Sequence, residues 1–255
     1  MKRTLTHLKL AVALATAVIV IAGCAERRED RIIAPSAIDS KARADHAQAA
    51  VLLLRKLDAL TIEQRVARVK YDSAGRPTLI VLPNEYATDA NISMLDQFPT
   101  LVQVKIVCAR GPILTDSMAH IGKLPALREL NIAGSPPAIT LDVARAIARN
   151  GTLRALSLDA GRISSPALQV FAHLPELRRI DIRSDPDFDD AKAALLSGFN
   201  RIEELDLSGT NVTDGCLPAL AKLPALKRLV VRSTRISQEG IAAAGFPVGT
   251  VVVER

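Results

Sequence analysis

Residues 202–214 read Ile-Glu-Glu-Leu-Asp-Leu-Ser-Gly-Thr-Asn-Val-Thr-Asp, and residues 223–236 follow with Leu-Pro-Ala-Leu-Lys-Arg-Leu-Val-Val-Arg-Ser-Thr-Arg-Ile. Each holds an apolar run of the form Leu-x-x-Leu-x-Leu, starting at Ile202 and Leu226. Working outward, the same run starts at Leu101, Leu127, Leu153 and Leu177, so the six starts are separated by steps of 26, 26, 24, 25 and 24 residues. Self-similarity at that period marks a solenoid, whose units bury their apolar edges only against their neighbours. The last two apolar places of each run are two residues apart, which is the period of a strand with one buried face. Those pairs are Val104/Ile106, Leu130/Ile132, Leu156/Leu158, Ile180/Ile182, Leu205/Leu207 and Leu229/Val231, with Leu79 and Val81 in a degenerate first unit.

A polar residue able to start a helix follows each strand: Thr88-Asp89, Thr115-Asp116, Thr140, Ser164, Asp189, Thr213-Asp214 and Ser237. Such side chains accept hydrogen bonds from the first free amides of a helix. The small apolar helices that follow are closed by Phe98-Pro99, Leu124-Pro125, Leu174-Pro175 and Leu223-Pro224, where proline ends the helix. Phe246-Pro247 leads into a final strand at Thr250–Val253. Ser135-Pro136-Pro137 and Asp185-Pro186-Asp187 interrupt two loops, which are expected to bulge.

These stretches resemble the leucine-rich repeat, in its 24–26-residue form with an Ile-Thr-Asp signature after the strand. The resemblance covers about residues 76–253. It implies an α/β solenoid shaped as a horseshoe, with a concave parallel β-sheet and convex helices. An N-terminal helix and hairpin, also found in bacterial members, would form the cap. The resemblance implies no catalytic chemistry.

The chain before the repeats divides by composition. Lys2, Arg3 and Lys9 precede the apolar run Leu10–Ile21, which is too short to span a bilayer that needs ~20 apolar residues. Ile21-Ala22-Gly23-Cys24 resembles the lipobox of bacterial lipoproteins. That likeness implies cleavage before Cys24, a diacylglycerol on its sulfur, and an acyl chain such as palmitate on its new amino group. Two or more acyl chains hold a protein stably at a membrane. Ala25 stands where the family's inner-membrane retention signal has Asp, which points to the outer membrane facing the periplasm. Residues 1–23 are therefore read as a lipoprotein signal peptide and 24–36 as a lipidated tether. Residues 37–75 are a capping helix and hairpin (apolar stripe Ala49, Leu52, Leu53, Leu57, Leu60; strands Val66–Tyr71 and Thr78–Leu82). Residues 76–255 are the repeats, about seven units plus a terminal strand.

Charge and cysteines exclude several functions. Without its first 23 residues the chain carries 30 basic and 27 acidic residues, too balanced for a nucleic-acid partner. Cys108 and Cys216 lie four repeats apart, roughly 20 Å at the spacing of stacked strands, well beyond the ~7 Å reach of a disulfide. Both are expected to be free thiols. Gly122-Lys123 lacks the rest of a phosphate-binding loop, and no Gly-x-Ser-x-Gly occurs. His46, His120 and His173 read as solvated helix residues. No cofactor or metal is expected.

Alternation within the strands assigns the surface. With the paired Leu and Ile inward, the central outward column is Ile80, Lys105, Asn131, Ser157, Asp181, Asp206 and Val230. Glu204, Arg179 and Arg228 stand in the column before it, and Arg183 and Arg232 in the column after it. The candidate ligand-binding residues are thus Lys105, Asn131, Arg179, Asp181, Arg183, Glu204, Asp206, Arg228 and Arg232. Asp181 and Asp206 should repel across adjacent strands and could hold a cation or a basic peptide group. Against this, Arg179–Glu204–Arg228 and Asp159–Arg183 can compensate one another. Calcium is disfavoured, since two carboxylates supply too few of its 6–8 oxygens. There is no Trp, and Tyr71 and Tyr86 fall outside these columns. Recognition of a protein or peptide through charge is the reading that remains. The chain is expected to be a non-enzymatic, membrane-anchored binding or scaffolding protein of the bacterial envelope. A self-associating structural envelope protein comes second, and an enzyme using Asp181 and Asp206 last.

Overall fold

The computed structural model describes residues 37–64, 68–107, 115–134 and 138–253. The expected signal peptide and lipidated tether, with Cys24, and also Cys108 and Ser135-Pro136-Pro137, lie outside the described residues. The described residues form two compact units, divided between Ile80 and Val81.

In the first unit, α1 (Ala37–Gln64) precedes a hairpin of β1 (Val69–Tyr71) and the start of β2 (Pro77–Pro83), whose last three residues open the second unit. The buried face of α1 carries Ala50, Leu53, Leu54 and Leu57, while Leu52 is 45% exposed. The expected stripe through Ala49 and Leu52 is thus turned by one residue. Positions 50, 53, 54 and 57 satisfy helical spacing equally well, and they keep the branched side chains together. The strands pair antiparallel, Val69 opposite Ile80 and Lys70 opposite Leu79. Their turn is built as its sequence suggests. Asp72 Oδ1 accepts the amides of Ala74 and Arg76, each at 2.9 Å, and Gly75 takes φ +75°, a conformation that costs glycine little. The Tyr71 hydroxyl donates to Asp58 Oδ2 at 2.7 Å, tying hairpin to helix.

The second unit is a series of strand–loop–helix repeats. Its strands are β3 (Gln103–Val107), β4 (Glu129–Ala133), β5 (Ala155–Asp159), β6 (Arg179–Arg183), β7 (Glu204–Asp206), β8 (Arg228–Val230) and β9 (Val251–Val253). Each pairs in parallel with the next, in unbroken register: Lys105, Asn131, Ser157, Asp181, Asp206, Val230 and Val253 align. Ahead of each strand one carbonyl receives two amides of the following repeat. Val102 O takes Arg128 and Glu129, Arg128 O takes Arg154 and Ala155, and the pattern recurs at Arg154, Arg178 and Glu203. The helices between strands are α2 (Asp89–Ser93), α3 (Thr115–Gly122), α4 (Leu141–Ala148), α5 (Ser165–Ala172), α6 (Asp190–Ala194), α7 (Leu217–Leu220) and α8 (Gln238–Ala243). Apolar side chains of strands and helices share the core: Leu156, Leu158, Ile180, Ile182, Leu168 and Phe171 are all fully buried. This is an α/β solenoid of the leucine-rich repeat type.

The loops explain the remaining sequence pattern. Thr88, Thr140, Ser164, Asp189, Thr213 and Ser237 each accept an amide of the helix they precede. The Asp after the capping residue reaches further. Asp190 accepts the Thr213 amide at 2.7 Å and its hydroxyl at 2.5 Å, and Asp214 accepts the Ser237 amide at 2.7 Å and its hydroxyl at 2.6 Å. Asp189-Asp190 and Thr213-Asp214 thus each cap their own helix and steady the next repeat. Asp185, buried in the loop that carries the extra residue of the 25-residue step, accepts the Ile163 amide at 3.0 Å and the Asp187 amide at 2.9 Å. Asn150 replaces the usual Leu or Phe before its strand. Its Nδ2 donates to the carbonyls of Ile121 at 3.3 Å and Leu124 at 2.8 Å. Cys216 is a buried free thiol, as expected, and burial, then Asp190, pushes its pKa up to about 12.

Candidate binding face

Period-2 alternation turns the residues between Leu and Ile away from the core, and the strand register lines them into columns. The expected columns are present from β3 to β8, but Ile80, expected at the head of the central column, is fully buried opposite Val69 of the hairpin. Gln103, Glu129, Ala155, Arg179, Glu204 and Arg228 align in one, the Lys105-to-Val230 series in the next, and Val107 with Ala133 and Asp159 with Arg183 in the third. What differs is how the charges are used.

Asp181 is only 3% exposed and does not face a partner freely. The Arg179 guanidinium lies over it, donating from Nε to Oδ1 at 3.0 Å and from Nη2 to Oδ2 at 2.7 Å. Residues i and i+2 share a strand face, and here the neighbours pair along the strand rather than across the sheet. The hydrogen bonds to Asp181 hold the Arg179 pKa above its ordinary value. The expected mutual repulsion of Asp181 and Asp206 is therefore relieved, because one of the two already has a bidentate cation. The expected alternation Arg179–Glu204–Arg228 is correspondingly loose. Arg179 and Glu204 approach only to 3.9 Å, and Arg228 has no ion pair among the described residues. Asp206 Oδ1 accepts the Ser208 amide at 2.9 Å and hydroxyl at 2.5 Å, and its Oδ2 makes no hydrogen bond among the described residues. Arg179, Asp181, Glu204, Asp206 and Arg228, with Leu205 and Val230, line a shallow hollow of about 160 Å³.

The flanks hold the other candidates. Arg183 pairs with Asp159 at 3.6 Å, as expected, and reaches Ser157 Oγ at 3.4 Å. Its Nε is buried and makes no hydrogen bond. Arg232 is exposed beyond β8, while Lys105 and Asn131 lie two or more strands from the hollow and do not join it.

Sequence reasoning missed two arrangements. His120 is not simply solvated: its Nδ1 lies 2.6 Å from Asp96 Oδ2, one repeat upstream. That pairing was hidden because the two are 24 residues apart, which is the repeat period itself. The burial of Asp181 also went unread, although Arg-x-Asp within one strand was its available signal. His173 is exposed, with Nδ1 2.9 Å from the Gln169 carbonyl. Among the described residues no group of three His, Cys, Asp or Glu side chains is arranged to hold a metal ion, and no helix is long and apolar enough to cross a membrane.

No family model matches the chain. Tsukushi of Gallus gallus, a leucine-rich repeat protein, is 37% identical over 62 residues, which is 24% of this chain and 17% of Tsukushi. The matched stretch is therefore under a fifth of that protein's length. Among solved structures, the chain is similar to internalin C2 of Listeria monocytogenes at 17% identity and a TM-score of 0.42, over 72% of this chain and 78% of that one. It is similar to internalin F of the same organism at 14% identity and a TM-score of 0.38, over 64% of this chain and 56% of that one.

Proposed function

We propose that this chain is a non-enzymatic binding or scaffolding protein that takes a protein or peptide on the open face of its sheet. One observation carries this reading: the hollow at β6–β8 is lined by charges whose partners within the chain are incomplete. Glu204 and Asp206 present carboxylate oxygens, Arg228 presents a guanidinium with no ion pair among the described residues, and Val230 supplies apolar floor. A peptide segment carrying one basic and one acidic group matches that arrangement. Asp181 acts from beneath by holding Arg179 in place. A shallow, open face excludes water poorly, which disfavours acid–base chemistry by these carboxylates. The basic start, short apolar run and Ala22-Gly23-Cys24 ending support anchoring of the chain by lipid at Cys24 in a bacterial envelope, at the outer membrane facing the periplasm.

Two experiments test the two halves of the proposal. Pull-down with the chain lacking residues 1–23, beside its Glu204→Gln/Asp206→Asn/Arg228→Gln variant, should show partners retained by the first and lost at least tenfold by the second. Equal recovery removes the hollow as the site. Separately, Cys24→Ala should abolish incorporation of labelled fatty acid and release the protein from membranes. Unchanged fractionation rules the anchor out.

A further inference from the structure

In the repeats capped at Thr140, Ser164, Asp189 and Thr213, core positions are sealed by the repeat that follows, all of them apolar except Asn150. At the position before the helix cap stand Ile139, Ile163, Phe188 and Val212, all buried, and the matching residue in the last repeat is Ile236, part-exposed. Four residues after the cap, Ala144, Leu168, Ala193 and Leu217 are buried, whereas Ile241 is not. Phe246 stands where Leu174, Phe199 and Leu223 are buried, and Val252 continues the column of Leu205 and Leu229, yet both are part-exposed. Helix α8 has no buried residue, and Val251 on β9 is 57% exposed. The last described repeat thus presents core-type residues that no described residue covers.

The backbone at the same place is equally open. Val251 N–H donates to Lys227 O at 2.8 Å and Val253 O accepts from Val231 N–H at 2.9 Å, so residues 251 and 253 face β8. In a parallel ladder the residue between them turns its N–H and C=O the other way, along the free edge. An unpaired edge next to uncovered apolar residues is a template for an added strand.

Charge selects among occupants. Among the described residues Arg228, Arg232 and Arg235 lie near this edge without a carboxylate partner, Arg235 donating to the Asn211 carbonyl at 3.3 Å, and Glu239 is the exposed acid nearby; Glu254, next in sequence after β9, lies outside the described residues. Asp214 and Glu203 are already bonded, to Ser237 and Lys227. A second copy docked edge to edge by a two-fold axis would bring the same arginines face to face. A strand carrying carboxylates would instead meet them. Added beside β9, it would lie roughly 10 Å from β8, within the combined reach of arginine and glutamate side chains across the small Val251.

We propose that the β9 edge and the open face of the last repeat receive an extended, acidic segment of a partner protein, paired to β9 through the backbone of Val252. Its carboxylates meet Arg228 and Arg232, and its apolar side chains cover Ile241, Phe246 and Val252. This site borders the hollow at β6–β8 and shares Arg228 with it, but it does not need Glu204 or Asp206.

The test uses two fluorescein-labelled peptides, one alternating Glu and Val and one alternating Lys and Val, titrated with the chain lacking residues 1–23. The Glu/Val peptide should bind saturably, at least tenfold more tightly than the Lys/Val peptide, and weaken as salt rises. Val252→Pro removes the outward N–H while leaving the bonds to β8 intact, and should abolish binding without shifting the thermal melt. Arg232→Glu should weaken the Glu/Val peptide and strengthen the Lys/Val one, independently of any backbone effect. Equal binding of both peptides overturns the proposal, as does full affinity in Val252→Pro with Arg232→Glu unchanged. Sedimentation showing a concentration-dependent dimer that Val252→Pro dissolves overturns it as well, and assigns the edge to a second copy.

Discussion

The most consequential single residue is Asp181, because it converts an apparent acidic site into a structural one. A carboxylate this buried must be paired, and the Arg179 fork supplies both hydrogen bonds. Arg179 itself is half-exposed, so solvent screens part of the attraction. Arg179→Leu leaves the carboxylate without its donors and should cost about 1–3 kcal/mol in urea denaturation. Arg179→Leu/Asp181→Leu removes both partners and should cost less than the single change. A double variant at least as unstable as Arg179→Leu would mean the pair is no unit. A second residue-scale feature recurs after β4 to β8. Gly134, Ala160, Ser184, Gly209 and Ser233 occupy one repeat position and all have positive φ, from 53° to 104°. The turn demands the left-handed region, which penalises any Cβ by roughly 1–2 kcal/mol. Ala160→Gly, at φ 58°, should therefore raise the urea midpoint despite the entropy glycine adds to the unfolded chain. An unchanged or lower midpoint argues that the Ala160 side chain contributes more than its strain costs.

At the level of elements, stacking is secured by Asp190 and Asp214 reaching forward to the next helix cap. The geometry needs glycine in that helix. A Cβ at Gly215 would lie 2.7 Å from Asp190 Oδ2, and one at Gly240 would collide with the Asp214 carboxyl. Hydrogen bonds from the Ser237 hydroxyl, then its amide, hold the Asp214 pKa below its ordinary 3.8. A depressed carboxyl stabilises the fold above its unfolded pKa and loses that contribution as pH falls through the folded value. Acidification below pH 3.8 should thus loosen the start of α8. Faster amide exchange at Ser237 and Gly240, present in the parent chain and reduced in Asp214→Asn, is the expected signature. Much of this level was legible in the sequence. The Leu-x-x-Leu-x-Leu series placed β3 to β8 and their outward columns, since a fixed period with one buried face leaves a strand no alternative register, while Ile80 in the degenerate first unit is buried. Helix starts were readable because Ser, Thr and Asp compete for free amides in a local way. The partners of Asp181, His120 and Asn150 were not readable. Each depends on which rotamer crosses to a neighbouring repeat or residue, and a pattern of apolar places carries no information about that choice. The stripe on α1 failed for a related reason, as 28 residues rich in Ala and Leu fit helical spacing in more than one rotation.

For the repeat stack as a whole, stability is a sum of unit terms and nearest-neighbour interfaces. An interior unit has two such interfaces, and the last unit has one. Leu156, fully buried in β5, touches both neighbouring layers, and Leu156→Ala should cost about 2–5 kcal/mol through lost burial and the cavity left behind. Ile241 has the same kind of side chain but is part-exposed, with nothing stacked on its outer side. Ile241→Ala should cost under about 1 kcal/mol on the same scale, since little buried surface is lost. Native-state amide exchange should show the corresponding gradient: the Val251–Val253 strand and α8 open first, and β5 and β6 exchange only in the slowest, most global opening. The gradient also links stability to recognition. A partner strand seated on β9 would give the last repeat its missing second interface, so the acidic Glu/Val peptide should slow exchange in β9 and α8 selectively. Uniform protection across all strands on adding that peptide would place its binding elsewhere. Equal exchange of β9 and β5 in its absence would show that the last repeat is already held as firmly as the interior.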